Sequence, residues 1–117
     1  MSAWTIAHEE DLAREGAWRL VRRTLGRAFG MNLVEVGPGA ELPAHDERDP
    51  DQEEVYVVLD GRPVVIIDGE EHEARPGTFV RLAPEPVRSV VNRTDDPARL
   101  LMVSAPVGSG FEPQEWA

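Results

Sequence analysis

The stretch VYVVLDGRPVVIIDG, residues 55–69, constrains the fold of this chain more than any other. It holds two apolar, β-branched runs, each closed by an Asp-Gly pair, at Asp60-Gly61 and Asp68-Gly69. β-Branched side chains favour the pleated backbone, and Asp-Gly between two such runs is the strongest short hairpin signal. The predicted hairpin turns at Asp60-Gly61, and Asp68-Gly69 ends its second strand. Further strands are predicted over 18–25, 29–36, 78–82, 87–92 and 100–105, and one short helix over 8–15. Gly37-Pro38-Gly39, Arg75-Pro76-Gly77, Ala83–Pro86 and Asn92–Pro97 supply turn chemistry between them. Strand plus turn repeats about every ten residues, which predicts an all-β fold, a single antiparallel jelly-roll-like barrel.

At 117 residues the chain has length for one core. The predicted organisation is a single domain over 1–117, with an N-terminal arm to about residue 21, a barrel over about 22–107 and a tail over 108–117. No apolar run reaches about 18 residues, and the start lacks a basic segment before an apolar block, so neither a membrane span nor a secretory signal is predicted. Zero cysteines exclude disulfides, thiolate zinc sites and a cysteine nucleophile. These features predict a cytoplasmic protein. A formal net charge of −10 opposes nucleic-acid binding. Its one basic cluster, Arg19, Arg22, Arg23 and Arg27, reads as a solvated strand edge or a dimer contact. Trp4, Trp18 and Trp116 read as packing or interface anchors and predict a homodimer.

Residues 39–61, GAELPAHDERDPDQEEVYVVLDG, and 77–92, GTFVRLAPEPVRSVVN, resemble the two motifs of the cupin superfamily. Gly39, His45, Glu54 and Gly61 fall on the first, with a slightly long gap between His45 and Glu54. Pro76-Gly77, Pro84 and Asn92 fall on the second. The resemblance implies a small single-domain cupin of the conserved-barrel type with a degenerate metal site. Where the family has a second histidine this chain has Glu47, and where it has the last one, four before the asparagine, it has Arg88. His45 and Glu54 are the usual ligands that survive.

Strand periodicity places residues two apart on one face. His45 and Glu47 can thus both point inward, Glu54 and Tyr56 share a face that Gln52 could join, and Arg88 shares one with Asn92. The resemblance implies that His45, Glu47, Glu54 and Arg88 converge inside the barrel. One imidazole and two carboxylates make a hard site suited to manganese or iron, with zinc also possible. Arg88 opposes it, by roughly 3 kcal/mol per unit of charge at about 5 Å and an effective dielectric near 20. Three readings stay open. One is a metal-dependent enzyme, a dioxygenase, isomerase or decarboxylase. Another is a metal-free binding or sensing module in which Arg88, with Tyr56 and Gln52, holds a small anionic ligand. The last is a scaffold in which Arg88 pairs with the pocket carboxylates. His8 and His72 read as surface residues.

Overall fold

The computed structural model describes residues 3–23, 25–26 and 28–114. Arg27 and Trp116 lie outside them. The described strands are β1 (Arg14–Glu15), β2 (Trp18–Arg19), β3 (Gly30–Val36), β4 (Gln52–Asp60), β5 (Val64–Ile67), β6 (Glu70–Glu73), β7 (Phe79–Leu82), β8 (Arg88–Val91) and β9 (Ala98–Pro106). They form two antiparallel sheets, ordered β1-β2-β3-β9-β4-β7 and β6-β5-β8. Residues 40–47 run beside β8, with Leu42 N donating to Val90 O at 2.8 Å and His45 N to Arg88 O at 3.0 Å. Among the described residues no helix is long and apolar enough to cross a membrane.

Side chains alternate along β4: Glu54, Tyr56 and Val58 are buried, while Val55 and Val57 are only partly so. Cross-strand register continues these positions into rows across the inner face of the large sheet. Val34, Leu100 and Val58 form an apolar floor. Asn32, Met102 and Tyr56 form the next row, and Gly30, Ser104 and Glu54 the one nearest the mouth. Val65 and Val90 close the core from the small sheet. The barrel is therefore apolar at one end and polar at the other.

The predicted hairpin at Asp60-Gly61 is not formed. β4 pairs with β7 and β9, whereas β5 pairs with β6 and β8, so the chain crosses between sheets at this point. Gly61 has φ +82°, and a Cβ there would lie 2.7 Å from Ala98 Cα. Glycine is needed at this position for close packing against β9. The hairpin lies instead at Asp68-Gly69, whose φ values of 49° and 82° suit a type I′ turn and bring Ile67 opposite Glu70.

The predicted strand over 18–25 is reduced to Trp18–Arg19, followed by a 3₁₀ turn over Val21–Arg23. Leu20 and Val21 are both buried, which the alternation of a strand does not allow and a tight turn does. The predicted helix over 8–15 is a single 3₁₀ turn, Glu9–Asp11, capped by His8, before the chain enters β1.

Candidate functional site

Three elements converge at the polar end. His45 lies on the segment beside β8, Glu47 two residues further, Glu54 and Tyr56 on β4, and Arg88 at the start of β8. His45 Nε2 lies 3.4 Å from Glu47 Oε1 and 3.9 Å from Glu54 Oε1. One ligand atom from each of these three residues falls within 4.8 Å of the others, so the cluster can hold a metal ion. His45 Nδ1 lies 3.2 Å from Pro43 O. A hydrogen bond donated to that carbonyl fixes the tautomer and leaves the Nε2 lone pair facing the carboxylates. Three acceptors then point at one spot, and the arrangement calls for positive charge between them, a proton or a cation.

Arg88 supplies charge from one side. Its side chain is fully buried. The guanidinium donates to the carbonyls of Pro86 at 2.6 Å, Ala83 at 2.8 Å, Pro84 at 3.2 Å and Leu82 at 3.4 Å. Its Nε lies 3.3 Å from Glu54 Oε1 but makes no aligned hydrogen bond, so this contact is an ion pair. Tyr56 Oη donates to the same oxygen at 3.4 Å. Even so, burial, and then the charge of Glu47, hold the Glu54 carboxyl above the usual carboxylate range; Arg88 and His45 offset this only in part. Burial likewise pushes the Tyr56 phenol up, keeping it a neutral donor.

A cavity of about 280 Å³ adjoins this cluster, lined by Trp18, Leu42, His45, Tyr56, Ser89 and Met102. An aromatic and apolar lining with a few polar groups is typical of small-ligand sites. Trp18, read from the sequence as a packing or interface anchor, packs against the core and also walls this cavity; Trp4 is exposed. Gln52 opens onto a separate groove at the mouth, together with Ser104. Ser104 had no sequence signal, because only the register of β9 against β4 sets it opposite Glu54. Asn92 is a structural clamp: its amide donates to Val36 O at 2.9 Å and Asp96 O at 2.7 Å. Another hollow, about 300 Å³ between the outer face of β9 and Phe111, gathers no imidazole–carboxylate cluster.

The two-sheet barrel is that of a cupin, and the cupin-domain family model matches residues 32–104: the chain belongs to that family. It is 42% identical over 89 residues to a beta-D-galactosidase of Mycobacterium tuberculosis, covering 74% of each chain. It is 32% identical to a sugar phosphate isomerase from a cupin superfamily of Silicibacter pomeroyi, covering 75% of this chain and 57% of that one, with a TM-score of 0.64. A cupin protein from Bacteroides fragilis shares the fold at a TM-score of 0.82 and 24% identity, over 99% of this chain and 94% of that one.

Proposed function

We propose that the barrel binds a small galactoside-like sugar and that Glu54 and Glu47 cleave its glycosidic bond as an acid and a companion carboxylate. The observation that carries this reading is the approach of two carboxylates to within 4.8 Å, one shut inside the barrel and one nearer solvent. Burial raises the pKa of Glu54, which suits that carboxyl to the acid role. A separation near 5 Å is that of enzymes that retain anomeric configuration, whereas about 6.5–9.5 Å leaves room for a water in inverting ones. In the retaining sequence Glu54 gives its proton to the leaving oxygen as the C1–O bond breaks and Glu47 bonds to C1. Water then attacks C1, returns a proton to Glu54 and releases Glu47. A cavity of about 280 Å³ suits a monosaccharide unit rather than a long chain. The galactosidase likeness supports the same ligand class. Arg88, wholly buried, acts in this reading as a positioning residue that holds Glu54, while Tyr56 and Trp18 wall the sugar. The test is hydrolysis of p-nitrophenyl β-D-galactopyranoside by the wild type, E54Q and E47Q. Turnover falling at least 100-fold in both variants is expected, and turnover unchanged in both would overturn the reading.

A second reading is favoured by the three-atom cluster itself. His45, Glu47 and Glu54 would hold manganese, iron or zinc, which would polarise an oxygen of the bound molecule as a Lewis acid. Chelation separates the two readings: hydrolysis by the carboxylate pair survives EDTA, and metal-dependent turnover does not.

A homodimer is the proposed assembly. It is supported by an outward cross-strand row, Leu33, Leu101, Val57 and Phe79, that ends on a Phe79 side chain 71% exposed.

A further inference from the structure

The arginine cluster of the sequence has no part in the cavity at His45. Of its three described members, Arg22 and Arg23 line a groove of about 500 Å³, together with Phe29, Gly30, Gln52 and Ser104, while Arg19 lies elsewhere. This groove shares no lining residue with that cavity, but two of its residues flank Glu54 on the inner face of the large sheet. Ser104 pairs across β9 and β4 with Glu54, and Gln52 stands two residues before Glu54 on the same face. Two residues of strand span about 7 Å, the length of a sugar ring with one substituent.

We propose that the groove receives a phosphoryl group carried by the sugar whose ring lies at Glu54, so that the ligand is a phosphorylated sugar. The proposal rests on the sugar reading above and adds to it the anionic end. Within a chain of formal net charge −10, the groove is lined by two arginines and no carboxylate. Arg22 has no ion-pair partner among the described residues. Arg23 pairs with Glu15 at 2.8 Å, but both side chains are more than half exposed, so the pair is weak and open to exchange. Guanidinium groups bind phosphate oxygens in pairs of parallel hydrogen bonds, and two together set a local field opposite to that of the whole chain. The side chains of Gln52 and Ser104 make no hydrogen bond to the described residues and are free to donate. Gly30 keeps this corner open, since a Cβ there would lie 2.5 Å from Ser104 Oγ.

The experiment is calorimetric titration of wild type and the R22A/R23A double variant with D-galactose, D-galactose 6-phosphate and inorganic phosphate, with thermal melts of both proteins. Both arginines are exposed, so the double variant should melt close to the wild type. The wild type should bind the phosphorylated sugar at least tenfold more tightly than the neutral one, with inorganic phosphate competing. Raising salt should weaken only the phosphorylated ligand. R22A/R23A should lose the preference and keep its affinity for galactose. Equal affinity of the wild type for both sugars, or a preference that survives R22A/R23A, overturns the inference and leaves the sugar reading standing. Failure of the wild type to bind either sugar overturns both.

Discussion

Arg88 Nε lies 3.3 Å from Glu54 Oε1, with the arginine side chain wholly shut away from water and the glutamate nearly so. By the resemblance of residues 77–92 to the second cupin motif, the arginine stands at the position of that motif's last histidine. Removing one partner of a buried pair is expensive because the other charge is left without compensation. R88A should therefore lose about 3–5 kcal/mol of stability in urea titration. R88K should lose less, because an ammonium keeps the charge but offers fewer donors to the four carbonyls. An R88A midpoint within error of the wild type would show that the pair contributes nothing.

The same relationship governs metal affinity. Wild type should bind manganese weakly, since the guanidinium repels a dication by several kcal/mol. R88H removes that repulsion and adds an imidazole, and its affinity should rise at least tenfold, about 1.4 kcal/mol. R88A should gain less. Calorimetry on all three proteins checks this, with thermal melts to establish that each is folded. Tight wild-type binding that R88H leaves unchanged would place Arg88 outside the site.

Glu54 sets a pH dependence whose sign follows from its raised pKa. The folded protein holds this proton more firmly than the unfolded chain does. The stability it contributes is complete below the ordinary carboxylate range and is lost as pH rises through the higher folded value. E54Q cannot ionise, so its melting temperature relative to the wild type should rise from pH 4 to pH 7.5; because it also takes the carboxylate away from buried Arg88, no absolute gain is expected. Melting curves of both proteins at the two pH values decide it, and a difference that stays flat or falls would show that the fold does not hold the Glu54 proton more firmly than the unfolded chain does.

Gly61 and Gly69 share a positive φ but differ in surroundings. A Cβ at Gly61 would meet Ala98 Cα at 2.7 Å, while one at Gly69 would meet nothing within 4 Å. G69A should cost about 1 kcal/mol of left-handed strain. G61A should cost about 3 kcal/mol, since a backbone clash adds to the strain. Equal urea midpoints for the two variants would contradict the close packing of Gly61 on β9.

Phe79 tests the proposed dimer. F79E places a charge at the end of the row Leu33, Leu101, Val57 and Phe79 and should shift sedimentation of the protein toward a 13.0 kDa monomer. A wild type already monomeric at high concentration would rule the assembly out.

The sequence by itself determined what depends on near neighbours. Alternation over residues 52–58 put Glu54 and Tyr56 on one inward face, and the Asp-Gly pairs marked both points where the backbone turns. The cupin-like spacing brought His45, Glu47 and Glu54 to one place, because it encodes strand length and turn position together. Tertiary structure alone decided which turn is a hairpin. Asp60-Gly61 and Asp68-Gly69 are the same dipeptide, and what separates them is that β4 finds its partners in β7 and β9, residues some tens of positions away. The same long-range register set Ser104 opposite Glu54. It also turned the end of the strand predicted after Trp18 into a 3₁₀ turn that carries Arg22 and Arg23 to the mouth of the barrel. Arg88 belongs to both levels: its position in the motif is local, but its burial follows from the carbonyls of residues 82–86 closing around it. Periodicity and turn chemistry act within a few residues, whereas pairing and burial are settled by the whole chain at once.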